Sequence, residues 1–154
     1  MENNIEQNQL KDQEVFLNVE KFLNFRSDGL LFGINTKYVI EIITRIQTTS
    51  LPMVPHYVKG IINLRGRLIP IIDIRLRLGK YEIEYDDKAC IVVIEYEGVS
   101  IGVIVDTVVN VIDVNIDKIS KMPDNSREEM VSGIISLENG ETLMVLDCDL
   151  LLNS

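Results

Sequence analysis

The sequence predicts an all-β protein made of two small, partly open five-stranded barrels side by side, joined by short helical connections. Three observations carry that reading. Hydrophobic residues make up 46% of the 154-residue chain and aromatics only 6%, so Val, Ile and Leu supply most apolar surface, as in strand-rich proteins. These residues fall in short runs broken by turn signals. Asp28-Gly29, Glu97-Gly98 and Asn139-Gly140 each lie between two such runs and tolerate the positive φ of tight hairpins. Finally, the chain echoes itself. Gly29-Leu-Leu-Phe-Gly33-Ile34 matches Gly98-Val-Ser-Ile-Gly102-Val103 at an offset of 69 residues. Downstream, Gly60-Ile-Ile-Asn-Leu64 matches Gly133-Ile-Ile-Ser-Leu137 at 73, and Asp73 matches Asp147 at 74. Glycines kept in the same order in both halves indicate a duplicated unit.

Strands are expected over residues 21–26, 30–34, 40–46, 61–65, 67–73, 89–96, 99–106, 109–114, 131–137 and 142–147. Pro70 lies inside the fifth and marks an edge or a bulge, because proline cannot donate to a central ladder. Short helical pieces are expected over residues 36–39, 55–59 closed by Gly60, 74–78 closed by Gly79, and 116–120. A last turn begins at Cys148, with Asp147 either its cap or a polar strand end. Residues 1–15, polar and without periodicity, form an acidic tail expected to be flexible. The first barrel is then expected over residues 16–80 and the second over 81–154, with the first strand open to being shared. At this size the chain buries a sufficient core without disulfide or metal.

Net charge is -9, which disfavours nonspecific binding to nucleic acid or to an anionic membrane. Within this acidic chain, residues 59–80 hold Lys59, Arg65, Arg67, Arg75, Arg77 and Lys80 against the single carboxylate Asp73. Such an island suits an acidic protein partner or is a scatter of solvated cations; charge counting weighs the two equally. Five Tyr, four Phe and no Trp, mostly in apolar strands, leave no stacking platform for single-stranded nucleic acid. The first residues have neither the basic nor the apolar stretch of a signal peptide, and no run reaches the ~18 apolar residues of a membrane span. A cytoplasmic location without membrane insertion is therefore expected. Cys90 and Cys148 lack the spacing of a zinc or redox motif and read as reduced packing residues, with a structural disulfide between them as the alternative.

The inventory for chemistry is thin, so no enzyme activity and no cofactor or metal is expected. His56, the sole histidine, follows Pro55 in a turn without a nucleophile pattern nearby. No Gly-Lys-Ser/Thr loop cradles a phosphate, and Gly79-Lys80 follows a helix where a phosphate loop would open one. Asp86-Asp87 and Glu128-Glu129 lie in polar loops and read as solvated charge. Asp106, at the end of an apolar strand, reads as a cap for the next turn.

The segment Gly60-Ile-Ile-Asn-Leu-Arg-Gly-Arg-Leu-Ile-Pro-Ile-Ile-Asp73-Ile-Arg-Leu-Arg-Leu-Gly79 resembles the signature of the CheW family of chemotaxis coupling proteins. Phe25 to Ile34, Val39-Ile-Glu-Ile42, Gly102-Val-Ile-Val-Asp106 and Gly133 to Asp147 resemble the family in order and spacing, so the match spans residues 21–154. The resemblance implies SH3-like barrels and an adaptor that couples transmembrane chemoreceptors to a CheA-type histidine kinase. The receptor's cytoplasmic tip would dock between the barrels, and the kinase's regulatory domain, of the same fold, would dock barrel to barrel. By family match, receptor contact falls on Val39, Glu41, Gly60, Asn63, Leu64, Arg65 and Gly66. The two-residue strand period puts Ile62 and Leu64 on one face and Ile61, Asn63 and Arg65 on the other. Glu41 also reads as a surface residue or an internal partner for an arginine, and Gly60 equally as a helix C-cap. The kinase-facing surface carries no comparable motif; Lys121, Arg127 and Met130, in the segment 121–130, are its candidates.

Overall fold

A computed structural model describes residues 18–44, 47–122 and 130–153. The all-β class holds: among the described residues eleven strands form two sheets. They are β1 (Val19–Ser27), β2 (Leu30–Asn35), β3 (Val39–Ile43), β4 (Val58–Leu64), β5 (Arg67–Asp73), β6 (Cys90–Tyr96), β7 (Val99–Val105), β8 (Thr107–Asn115), β9 (Ser120–Lys121), β10 (Val131–Ser136) and β11 (Thr142–Leu146). Barrel 1 has the strand order β8-β1-β2-β11-β10-β9, and barrel 2 has β3-β6-β7-β5-β4.

The two barrels do not follow the expected boundary at residue 80. Barrel 1 combines β1 and β2 with β8 to β11, and barrel 2 combines β3 to β5 with β6 and β7. Aligning the repeats pairs β1 with β6, β2 with β7, β3 with β8, β4 with β10 and β5 with β11. In those terms the first five strands of each order are the same, with each barrel taking its leading hairpin from the other repeat; barrel 1 departs from the expected five strands by the short β9, whose counterpart in barrel 2 is only the isolated bridge Thr49–Ile61. The parallel pairs β2·β11 and β5·β7 are the two places where this exchange is knitted together.

Side-chain alternation divides the apolar residues into three clusters. On β6, Ile91 and Val93 face the interior of barrel 2 while Val92 and Ile94 face the space between the barrels. On β1, Phe22 faces the interior of barrel 1 while Leu23 and Phe25 join the central core. That shared core includes Phe32, Ile34, Ile74, Val103, Leu146 and Leu151, drawn from both barrels. Met130 is 1% exposed and belongs to this core, and its carbonyl accepts from Asp147 N at 2.9 Å. It is therefore a packing residue, and the expectation that it meets a kinase is corrected. Arg127 lies outside the described residues, and Lys121 is exposed on β9.

The repeated glycines have repeated causes. A Cβ on Gly102 would come within 2.7 Å of Ile91 and 2.5 Å of Ile71 inside barrel 2. On the equivalent Gly33 it would meet Leu143 and Asn24 at 3.0 and 3.1 Å inside barrel 1. Gly60 and Gly133 each lie at a register shift, in β4 and β10. Gly60 has φ +148°, and a Cβ there would fall 2.3 Å from the Thr49 carbonyl oxygen. Its requirement is close backbone approach. The expected helix over 55–59 is absent, because residues 55–57 form a turn into β4 and Gly60 sits inside that strand.

Other expectations hold with adjustments. Asp28-Gly29, Arg65-Gly66 and Glu97-Gly98 all have positive φ at both residues, the geometry of two-residue hairpin turns. Asp147 caps the C-terminal helix Cys148–Asn153, accepting from Leu150 N at 3.0 Å. Asp73 does the same for the helix Ile74–Arg77, accepting from Arg75 N at 2.9 Å. Pro70 lies in β5, which is an inner strand and no edge. Pairing with β7 begins only at Ile71, so the missing donor of Pro70 interrupts no ladder on that side. Both cysteines are free, and burial pushes the Cys148 thiol up to about 11.

Candidate functional site

The residues expected to meet a receptor gather where the two ends of barrel 2 come together. β3 and β4 are the first and last strands of that sheet, yet Glu41 Oε2 on β3 lies 3.5 Å from Arg65 Nη2 at the end of β4. Ile43 of β3 packs in the same interior cluster as Ile62 and Leu64 of β4. The sheet has curled until its ends meet, and Glu41 and Arg65 span the seam.

Each residue arrives there for a local reason. Val39 and Glu41 flank a bulge opposite β6, which gives Ile40 an outward place; Ile40 and Ile42 are 45% and 39% exposed. On β4, Ile62 and Leu64 point inward and Asn63 outward, as the strand period predicts. The outward Asn63 accepts from Gly66 N through Oδ1 at 2.9 Å, which clamps the Arg65-Gly66 turn. Arg65 takes φ +54° there and extends its guanidinium over the seam with 78% of its side chain exposed. Leu64 is half-buried and its side chain belongs to the barrel interior, whereas Asn63, Arg65 and Gly66 are exposed. Of the alternatives for Glu41, the internal partner of an arginine is the one observed; its Oε2 is buried and accepts no hydrogen bond, so Arg65 is its nearest compensation.

The basic island is not an island in three dimensions. Lys59 pairs with Glu82, Arg67 with Glu95 at 3.8 Å, and Arg65 with Glu41, while Arg77 lies over the Tyr57 ring at 4.6 Å. Arg75 is the most enclosed. It donates through Nη1 to Asp28 at 2.8 Å, through Nε to Asp106 Oδ1 at 3.2 Å, and through Nη2 to Asp106 Oδ2. These bonds to Asp106, then the charges of Asp106 and Asp28, hold the guanidinium pKa above its ordinary value against desolvation. Asp106 also accepts from Asp28 N at 3.1 Å. It is thus the partner of an arginine and an upstream turn, correcting the expected cap of the following turn. Since Asp28 turns the hairpin of barrel 1 and Arg75 leaves β5 of barrel 2, this cluster staples the barrels together. Buried Asp73 accepts from Tyr85 OH at 2.8 Å; burial first, then that bond, pushes the Tyr85 pKa far above its ordinary value. Sequence reasoning missed this network, because its members are far apart in the chain and none forms a motif.

Among the described residues no three His, Cys, Asp or Glu side chains are grouped to hold a metal, and no helix is long and apolar enough to cross a membrane. What the geometry presents is a double-barrel module with an ion-paired, bulged seam on barrel 2 and exposed aliphatic side chains beside it. Comparison with known proteins makes the class specific. The family model described as a CheW-like domain matches residues 21–154, and the chain belongs to that family. It is similar to the chemotaxis protein CheW of Bacillus subtilis, 32% identical over 137 residues that cover 87% of each chain. The chemotaxis protein CheW of Klebsiella aerogenes is 30% identical over 139 residues, covering 88% of this chain and 82% of that one. The crystal structure of the scaffolding protein TtCheW from Thermoanaerobacter tengcongensis superposes with a TM-score of 0.81 at 28% identity, covering 88% and 93%. The protein PilI of Pseudomonas aeruginosa is 36% identical over 86 residues, 56% of this chain and 48% of that one.

Proposed function

We propose that the protein is a non-catalytic coupler in the cytoplasm, joining the tip of transmembrane chemoreceptors to the regulatory domain of a CheA-type histidine kinase. The observation that carries this reading is the seam of barrel 2. There the family signature folds into a rigid hairpin whose exposed members, Asn63, Arg65 and Gly66, stand beside Glu41 and the outward Ile40 and Ile42. A helical receptor tip offers apolar side chains and charged groups, and this seam answers with aliphatic surface and a solvent-exposed guanidinium fork. Val39 and Gly60 act beneath that surface, one at the bulge and one at the backbone contact with Thr49, and set its shape.

Coupling then needs no chemistry. The protein holds the kinase at a fixed geometry to the receptor, and a change in the receptor tip shifts the kinase between active and inactive populations. Co-sedimentation with a receptor cytoplasmic fragment, with and without kinase, tests the reading: receptor and kinase bind together, and the ternary complex is tighter than either pair. Displacement of receptor by saturating kinase would refute it. A second reading, a coupler in a chemosensory pathway with another output, is favoured by the similarity to PilI, a relative not named for chemotaxis.

A further inference from the structure

Four hairpin turns of this fold carry a glycine at positive φ, and they differ in the side chain before it: Asp28-Gly29, Arg65-Gly66, Glu97-Gly98 and Asn139-Gly140. The pairing matters chemically, because a glycine's backbone nitrogen has no adjacent Cβ to hinder its attack on a preceding side-chain carbonyl. The four turns are not equally open to that attack. Arg65 has no side-chain carbonyl. Asp28 presents a carboxylate, which repels a nucleophile and is held by Arg75 Nη1 at 2.8 Å. Glu97 presents another carboxylate, and its longer side chain would close a six-membered ring. Of the four, Asn139 combines a neutral amide carbon with a five-membered ring.

The tip of the β10–β11 hairpin also prepares that amide. Asn139 and Gly140 are exposed, and a Cβ on Gly140 would meet nothing within 4 Å, so a ring joining Gly140 N to Asn139 Cγ has room. Asn139 Oδ1 accepts from Glu141 N at 3.0 Å, which places a donor on the oxygen that turns negative when the amide carbon is attacked. One contact opposes the reaction: Gly140 N donates to Leu137 O at 3.0 Å and must first leave it. Elsewhere Asn24, Asn35, Asn63, Asn110 and Asn115 precede Phe, Thr, Leu, Val and Ile, whose side chains shield the following nitrogen.

We propose that Asn139-Gly140 is a site of spontaneous modification, at which water converts the Asn139 side-chain amide to a carboxylate. Gly140 N gives up its proton and bonds to Asn139 Cγ; the Cγ–Nδ2 bond breaks, and ammonia leaves with that proton. Water then opens the cyclic imide at either carbonyl, yielding aspartate or β-linked isoaspartate. The change falls on a tie between strands. Asn139 Nδ2 donates to Glu141 Oε1 at 3.3 Å, and the same carboxylate accepts from Arg26 Nη2 of β1 at 2.8 Å. Modification replaces a donor to Glu141 with a second anion beside it, and the isoaspartate product adds a backbone carbon to the turn.

The test is incubation of the full chain at pH 8 and 37 °C, followed by peptide mass spectrometry and by methyl transfer from S-adenosylmethionine with an isoaspartate methyltransferase. The peptide holding Asn139 gains the mass of an amide exchanged for an acid, ahead of those holding Asn24, Asn63 and Asn110, and takes up methyl groups. In the folded protein this runs roughly twofold to tenfold more slowly than in the guanidinium-unfolded chain, the effect of opening one turn hydrogen bond. Asn139→Gln, which would need the larger ring, keeps its urea midpoint and stays unmodified over the same period. The proposal is overturned if the folded protein changes nothing at Asn139 while the unfolded chain does, if Asn24, Asn63 or Asn110 leads, or if the Asn139→Gln peptide accepts methyl groups at the parent's rate.

Discussion

Barrel 2 and barrel 1 share one strand plan, and differ in how their ends meet. Barrel 2 is filled by Ile69, Ile71, Ile91, Val93 and Ile104, and an ion pair spans its seam. Barrel 1 carries buried Asn24 hydrogen-bonded to exposed Asn110, and a groove lies along its seam. Even the rim pair is conserved in plan and reversed in sign: Arg26–Glu141 in barrel 1 stands where barrel 2 has Glu95–Arg67. The difference teaches that a duplicated scaffold specialises through a few inward positions, while its turns, bulges and glycines stay fixed because the backbone requires them.

Glycine substitutions should break the comparison most strongly. Gly60→Ala meets the Thr49 backbone and a positive φ together and should cost roughly 2 to 6 kcal/mol by urea unfolding, combining overpacking with backbone strain. Gly102→Ala, pressed against Ile71 and Ile91 in the filled barrel, should cost about 1 to 3 kcal/mol. Its equivalent Gly33→Ala meets the movable methyls of Leu143 beside a cavity and should cost less than about 1 kcal/mol. Equal losses at the two sites would mean that barrel 1 is as tightly filled as barrel 2.

Arg75→Ala leaves Asp106 and Asp28 without their shared guanidinium and should lose roughly 2 to 4 kcal/mol. If the loss is near zero, the barrels are held by their apolar core alone. A smaller contrast lies in Leu64 and Leu137, equivalent and both half-buried. Leu64→Ala should cost about 1 to 3 kcal/mol and Leu137→Ala less, since only the second already faces empty space. Thiol chemistry offers the mildest check. Burial raises both thiols, Cys148 to about 11, so at pH 8 iodoacetamide should modify half-buried Cys90 first and buried Cys148 only on unfolding.

Much of this was legible in the sequence, because hairpins, turn glycines and alternation are local. The echo of Gly29–Gly33 in Gly98–Gly102 marked the true equivalence of β2 and β7. The exchange of hairpins was not legible, since periodicity places a strand's faces without naming its partner, and the parallel pairs β2·β11 and β5·β7 join distant segments. Gly60 after a proline-led turn imitated a helix end and proved to be a bulge inside β4. The basic stretch misled for a similar reason: Glu41, Glu82, Glu95, Asp28 and Asp106, its counter-charges, all lie outside it. The placement of the signature was legible, because residues compact in sequence, Asn63 to Gly66, fold into one hairpin. Only Leu64 among its central residues turned inward.

The central claim is that the barrel 2 seam recognises a partner through its exposed side chains, and Arg65→Ala tests it most directly. The guanidinium is largely exposed, but its loss leaves buried Glu41 Oε2 without its nearest cation, so the protein should stay folded and urea unfolding should fall by about 1 to 2 kcal/mol. Receptor-fragment affinity, measured on the same preparation, should fall about tenfold to a hundredfold through loss of charge-assisted hydrogen bonds, with kinase affinity unchanged. An Arg65→Ala protein that unfolds, or that binds receptor normally while losing the kinase, would contradict the account and make Arg65 a brace of the barrel or a kinase contact.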